Sequence, residues 1–524
     1  MAHTRLFEDL IKAVSLAKNN DQEGEQNKVS RRDFLAKAAV TGTALMLPSF
    51  VWSTVTTAAQ RSLAPRIVII GAGLAGLTCG YRLKQAGYNT QIYEASNRLG
   101  GRCWTLRDYF EQGQIAEHGG ELIDQEHKEI RQLVQELGLK LDNLVQAEPN
   151  DTKIISYING SPYTFKQATD DIKGIWQQIH GDLVAAGYPT TYKSYTKRGW
   201  DLDHISILDW IRKYVPGGVN SNLGKLLDIA YNIEYGADSS EQSALNLIYL
   251  LAFSGQGQMR LFGPSNEKYR VRGGNDQIVS LLAQQLESQI QLNSELTSIK
   301  LSKDNTYILT FKKDSGYVDV IADQVVVAIP FSKLRNVDYS KANFKPVKQI
   351  AIQELQMGTN TKLQVQFTKR YWQQFNCNGD TISDTGYQNT WEVSRSQSGD
   401  YGILVNYTGG KIAAKKSNWT NPINAANQFL NQLEPVLPGI TNTMNKKVVP
   451  TIDYWTGNPY TLGAYSYWGV GQYTKFAGVE GEPEGNCYFA GEHTSIDFQG
   501  FLNGAVESGQ RTAQEILKYI KITK

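Results

Sequence analysis

The sequence predicts an α/β fold in which one parallel-sheet domain is assembled from three separated stretches of chain, interleaved with a mixed-sheet domain and a helical subdomain. Three observations carry this. Residues 66–102 hold a strand, a glycine-rich turn, a helix and a second strand within one compact βαβ unit. Far down the chain, Asp323–Pro330 is a short apolar run of the kind that a sheet buried on both faces requires, and Asn486–His493 reads as a further strand. Between these runs the pattern changes, mostly helical over 126–265 and alternating strands and loops over 336–455.

The first unit reads Arg66-Ile-Val-Ile-Ile-Gly-Ala-Gly-Leu-Ala-Gly76. Ile67 to Ile70 form a buried strand, and Gly71, Gly73 and Gly76 let the backbone turn tightly beside a pyrophosphate. Leu74 and Ala75 open a helix whose positive N-terminus faces those phosphates. Gly87 closes the helix. Gln91-Ile-Tyr-Glu94-Ala95 is the second strand, and the Glu94 carboxylate at its end is placed to hold ribose hydroxyls. This Rossmann-like unit suits NAD and FAD equally. The choice falls on FAD because Arg98-Leu-Gly-Gly101-Arg102 follows directly, bringing backbone amides and a cation toward the second phosphate region. The segment resembles the two-dinucleotide-binding motif of the flavin amine oxidase superfamily.

Later elements follow in order. Ile130 to Leu139 has the spacing of an amphipathic helix, with Ile130, Leu133, Val134 and Leu137 on one face. Gly273-Gly274 opens another helix, and Ile290 to Ile299 alternates as a single strand. Asp323–Pro330 reads as a buried strand stopped by proline. Asn486–His493 is a strand, and Gly500 to Ile520 an amphipathic helix. The expected boundaries are a leader at 1–60, cofactor segments at 61–125, 266–335 and 456–524, a helical substrate subdomain at 126–265 and a substrate-binding domain at 336–455.

A chain of 524 residues exceeds what one core usually holds. Lys+Arg 53 against Asp+Glu 51 gives no electrostatic case for nucleic acid. Cys79, Cys103, Cys377 and Cys487 are far apart, and no metal site or disulfide framework is expected. His118 and His493 lie in motif regions and read as hydrogen-bonded structural residues. The N-terminus carries Ser30-Arg31-Arg32-Asp33-Phe34-Leu35 before a mildly apolar run, Ala38 to Val55, which reads as a twin-arginine export signal. Export of a folded protein to the periplasm or medium suits an enzyme that captures its flavin in the cytoplasm. Leu6, Phe7, Leu10, Ile11 and Val14 add an amphipathic stretch of unassigned role.

From about Arg66 to Ile520 these pieces resemble, in order and spacing, the flavin amine oxidases: monoamine, polyamine and L-amino acid oxidases. The resemblance adds Gly119, Gly120, Glu121 and Leu122 to the cofactor-binding set, with Leu296 at the adenine and Gly491, Glu492, Gly500, Phe501 and Leu502 under the flavin ring. It also implies that the closing helix stabilises the reduced flavin's negative charge at its N-terminus. Lys362, on a strand, matches a lysine that holds a water against the flavin N5. Tyr465 and Phe501 match the aromatic walls that flank the substrate nitrogen, with Trp468 and Leu122 also at the substrate. Where monoamine oxidases carry the cysteine that links flavin covalently, this chain has Ala464, so the FAD is expected to be noncovalent. Where animal-type L-amino acid oxidases carry a carboxylate-clamping arginine, it has Leu122; Arg198, Arg260 and Arg395 are the replacement candidates.

Tyr231 to Gly236, Ser243 to Asn246 and Trp455 to Trp468 resemble bacterial L-amino acid oxidases. The expected activity is oxidative deamination of an L-amino acid to a 2-oxo acid and ammonia, with oxygen giving hydrogen peroxide. A monoamine or polyamine oxidase, and a flavin-loaded binding protein without turnover, are the alternatives. A homodimer and membrane association are left open.

Overall fold

The computed structural model describes residues 64–252, 254–255, 258–259 and 266–523. The leader with Arg31 and Arg32, and the clamp candidate Arg260, lie outside the described residues.

Five parallel strands form the central sheet in the spatial order Ile290–Gln291, Thr90–Tyr93, Ile67–Ile70, Gln324–Val327 and Cys487–Phe489. Every residue of Ile67–Ile70 and Gln324–Val327 is buried, which explains the apolar runs Ile67 to Ile70 and Val325 to Val327. Strand alternation divides them between two cores. Ile67, Ile69 and Val326 pack against the helices Leu74–Gln85, Asp276–Leu286 and Leu502–Thr523. Val68, Ile70, Val325 and Val327 face a four-stranded sheet built from Glu295–Leu301, Tyr307–Lys313, Gly316–Ala322 and Asp338–Lys341. The parallel sheet therefore draws on the three separated stretches that the sequence pattern indicates.

Gly76 shows why the first turn needs glycine. A Cβ at Gly76 would lie 2.0 Å from the carbonyl oxygen of Gly71, and Gly71 itself has φ +101°. Only two glycines bring the helix this close to the strand that feeds it.

The second large sheet has seven strands in the order Thr451–Tyr454, Thr361–Phe367, Gly402–Thr408, Asn389–Glu392, Cys377–Ser383, Lys153–Ile158 and Ser161–Pro162. It is mixed, because Cys377–Ser383 runs parallel to Lys153–Ile158 while the other pairs are antiparallel. Leu363, Val365, Phe367 and Leu404 bury one face under the helix Pro422–Leu433. Ile403, Val405, Tyr407 and Trp391 form the other face, toward the cofactor domain. Trp176–Ala186, Ile207–Tyr214, Asn222–Tyr235 and Ala244–Leu251 make the helical part around Trp210, Leu226 and Leu247.

Three expectations need correction. The run from Ile290 to Ile299 is two strands, since Asn293 takes φ +51° and the chain leaves the parallel sheet for the four-stranded one there. The stretch 126–265 is not all helical: Lys153–Ile158 and Ser161–Pro162 complete the edge of the mixed sheet. The stretch 336–455 includes the helices Pro346–Glu354 and Pro422–Leu433, each with proline in its first turn.

Candidate active site

An elongated cleft runs between the parallel sheet and the mixed sheet. Gly71, Gly73, Leu74, Ala75, Glu94, Ala95, Arg98, Gly101 and Arg102 line it from the first unit. Gly119, Gly120, Leu296, Lys362, Tyr465, Gly491, Glu492, Gly500, Phe501 and Leu502 line it from the rest of the chain. Residues more than 400 positions apart thus meet at one surface.

The lining fits a dinucleotide. The helix Leu74–Gln85 starts at Gly73 with no side-chain cap and no acidic residue in its first turn, so its leading N–H groups suit an anion. Glu94 accepts from the Ala72 N–H at 2.9 Å with Oε2 and from the Ser96 N–H and hydroxyl at 2.9 and 2.8 Å with Oε1. Those bonds fix its orientation and leave lone pairs for ribose hydroxyls. Arg98 donates to the Leu99 and Gly101 carbonyls and stacks 4.2 Å over the Trp104 ring, which shapes the turn beside the phosphate region.

Glu492 holds the far part of the cleft together. Its Oε1 accepts from Arg102 at 2.7 Å and from the Ser466 N–H at 3.2 Å, and its Oε2 from the Ser466 hydroxyl and the Gly500 N–H, both at 2.8 Å. Burial alone would raise this carboxyl, but the Arg102 guanidinium, with His493 and the Ser466 hydroxyl, outweighs it and holds the group below the usual carboxylate range. The same Arg102 donates to the Ala464 carbonyl at 2.8 Å, so the segment before Tyr465 is fixed by one cation.

Lys362 lies in Thr361–Phe367, a strand buried along its whole length. Its ammonium donates to Glu121 Oε2 at 2.8 Å, to the Gly119 carbonyl at 2.9 Å and to the Glu117 carbonyl at 3.0 Å. Tyr465 shares a hydrogen bond with the Tyr407 hydroxyl at 2.9 Å and donates to the Ile233 carbonyl at 3.1 Å. Burial, with Tyr407 and Glu234 nearby, keeps the Tyr465 phenol neutral. Phe501 meets the edge of the His127 ring at 4.8 Å and lines both this cleft and a second cavity beside it.

Four expected site residues lie off the cleft. Gly76 is behind the turn, packed on Gly71. Glu121 is the ion-pair partner of Lys362, and Leu122, half-buried, is not among the residues lining the cleft. Trp468 lines the second cavity instead, because the strand Ser466–Tyr467 carries the chain past the cleft within three residues of Tyr465. Two clamp candidates are spent elsewhere. Arg198 is bound to Asp182 at 2.6 Å and to the Tyr214 hydroxyl at 3.2 Å, and Arg395 to Glu148 and Asp380, both at 2.9 Å. His118 is structural, bonded to Asp453 at 2.6 Å and stacked on Trp104. His493 departs from the expected hydrogen-bonded role: among the described residues neither ring nitrogen has a hydrogen-bond partner, and burial pulls the imidazole down to about 4, so it is neutral.

Sequence reasoning missed Asn360, Tyr407, Trp455 and Tyr460, which also line the cleft. Tyr407 stands directly across from Lys362 in the paired strands, a register that no local spacing reveals.

Replacing Glu492 with Gln should cost about 3–5 kcal/mol, the usual loss when one partner of a buried pair is removed. Because the native pKa is depressed, the wild-type advantage is complete above the unfolded value near ~4.3 and fades as pH falls through the native one. Thermal melts of both proteins across acid pH check this; a gap that widens on acidification would refute it.

The sequence profile described as Flavin containing amine oxidoreductase matches residues 74–517. The chain is 25% identical over 510 residues to a nicotine dehydrogenase of Pseudomonas putida, covering 95% of this chain and 99% of that one. It is 24% identical over 480 residues to an L-amino-acid oxidase of Pseudechis australis, covering 87% and 88%. Its fold is similar to that of cyclohexylamine oxidase from Brevibacterium oxydans, with a TM-score of 0.75 at 18% identity, over 87% of this chain and all of that one. The chain belongs to the flavin containing amine oxidoreductase family and is an FAD-dependent oxidoreductase.

Proposed function

We propose that the protein oxidises a cationic amine that carries no carboxylate. The observation that supports this is the second cavity, about 790 Å³, which meets the cleft at Phe501. Among the described residues its wall carries nine carboxylates, including Asp124, Glu129, Glu234, Glu480 and Glu507, against the cations Lys128 and Arg511. Arg511 is already bound to Glu515, Thr494 and the Gly481 and Phe489 carbonyls. Burial pushes the Glu480 carboxyl up to about 8 and raises Glu234 and Glu507, so these three bring little negative charge at neutral pH and the attraction for a cation falls to the other acidic residues of the wall, which still outnumber its two cations. A cation entering this cavity is stabilised. A carboxylate would be desolvated among like charges, at a cost of several kcal/mol or about that order.

Bound FAD supplies the hydride acceptor. Tyr465 and Phe501 exclude water on the approach, which favours the neutral amine whose lone pair must be free before hydride leaves the adjacent carbon. Lys362 supplies a buried positive charge at the cleft. The imine product would hydrolyse to a carbonyl compound, and the two electrons taken up by bound FAD would reduce oxygen to hydrogen peroxide. Nicotine dehydrogenase and cyclohexylamine oxidase, by their names, act on amines without a carboxylate. The second reading, L-amino acid oxidation, is favoured by the similarity to an L-amino-acid oxidase; it requires a clamp, and Arg260, outside the described residues, is the remaining candidate.

The FAD is proposed to be noncovalent, since Ala464 has no nucleophile. Cys103 is the one cysteine among the residues lining the cleft, and burial raises its thiol well above the ordinary range. Twin-arginine export stays a proposal resting on Arg31 and Arg32. Among the described residues no helix is long and apolar enough to cross a membrane.

Three outcomes are expected. Anaerobic mixing with cationic monoamines or diamines should bleach the flavin rapidly and the matching L-amino acids should not; the reverse pattern would move the protein to the second reading. Acid precipitation should leave all the flavin in the supernatant as FAD, and a yellow pellet would mean a covalent bond. Changing Arg31 and Arg32 together to Lys should leave active, flavin-loaded protein in the cytoplasm, and undiminished export would show the pair to be incidental.

A further inference from the structure

The Lys362 ammonium has three N–H groups, and the protein supplies three acceptors within 3.0 Å: Glu121 Oε2 and the carbonyls of Gly119 and Glu117. A water held by this lysine would have to displace one of them. Two of the three acceptors are backbone oxygens of the turn that carries Gly119 to the cleft, and the third is the only charged one. Lys362 is 5% exposed and Glu121 4%, so neither ion is solvated by bulk water.

We propose that Glu121 is a positioning residue of the oxidation site: it holds the Lys362 ammonium seated on the 117–119 turn, so that the lysine acts on the cleft from a fixed place. The inference rests on the reading of Lys362 as part of that site. The surroundings of Glu121 suit the role. Its second oxygen, Oε1, accepts from the Trp391 indole N–H at 3.2 Å and lies 3.9 Å from Nη1 of the buried Arg270. Trp391 also lies under the ammonium, with Nζ 5.5 Å from its ring centre. The neighbouring acid cannot substitute. Glu117 offers Lys362 its backbone carbonyl, while its carboxyl group is turned to the Asn275 N–H at 2.9 Å and the Thr105 hydroxyl at 2.8 Å. Burial pushes that carboxyl up to about 8, so it is protonated at neutral pH and brings no negative charge. Glu121 is thus the anion that offsets the desolvation of Lys362.

A double-mutant cycle on the FAD-loaded protein tests this, using Glu121→Gln, Lys362→Met and the pair together. Glu121→Gln keeps the shape and removes the charge. It should slow reoxidation of the reduced flavin by about tenfold, the usual scale for losing a group that orients a site residue, with FAD content unchanged. Lys362→Met should slow it at least as much, and the double variant should be no slower than Lys362→Met alone. Melting temperature gives the second readout. Lys362→Met leaves Glu121 undercompensated and should lower it by several degrees, and adding Glu121→Gln should recover most of that loss. Glu121→Asp, which retains the charge, should fall between wild type and Glu121→Gln in reoxidation rate. A Glu121→Gln protein that melts lower but reoxidises at the wild-type rate would overturn the proposal, as would a double variant slower than Lys362→Met by the full Glu121→Gln factor. If Lys362→Met alone changed neither half-reaction, the reading of Lys362 itself would fall.

Discussion

The ion pair between Arg102 and Glu492 is the interaction on which the cleft depends. It joins chain segments 390 positions apart, and Glu492 extends the tie to Ser466 and Gly500 through its remaining acceptor sites. Buried charge is tolerated only when it is paired and hydrogen-bonded, and here both carboxylate oxygens are taken. The turns at Gly491 and Gly500 and the segment leading to Tyr465 are therefore fixed relative to the arginine that closes the first unit. Apolar packing alone would hold these backbones near one another without setting their orientation.

The two cavities handle charge in opposite ways. Around the cleft, Glu94, Lys362, Arg98, Arg102 and Glu492 each have a protein partner, which makes the surface rigid before anything binds. Along the second cavity, carboxylates outnumber cations and several are raised by burial. Rigid, satisfied groups suit a resident cofactor, whose position must not vary. An excess of acidic over basic side chains is what the proposed reading asks of a space where a cationic ligand arrives, is held by charge of opposite sign and leaves again.

The parts legible in the sequence are those whose physics is local. Ile67 to Ile70, Gly71, Gly76 and Glu94 fall in one βαβ unit, where strand, turn and helix are dictated by near neighbours. Ile130, Leu133 and Val134 likewise show their buried face through spacing alone. What failed was long-range. Glu121 lies next to a cofactor glycine pair and so reads as a cofactor contact, yet its partner is Lys362, 241 positions later. Tyr407 enters the site through strand register, and Trp468 leaves it because a short strand intervenes after Tyr465. The strands at 153–162 were hidden because so short an edge hairpin scarcely perturbs the helical pattern around it.

The same division explains why the cofactor was easier to read than the substrate. Phosphates and a ribose impose fixed demands on backbone turns, and such turns need glycine at set intervals. A substrate amine imposes no comparable spacing. In the proposed reading its surroundings would be drawn from Asp124 and Glu129 beside the first unit, Glu234 at the end of a helix, Glu480 in a loop and Glu507 in the closing helix. Each of these is an ordinary surface-type residue in its own segment. Only the fold turns them toward one enclosed space, and the proposed selection of a cation rests on that gathering, which no single segment shows.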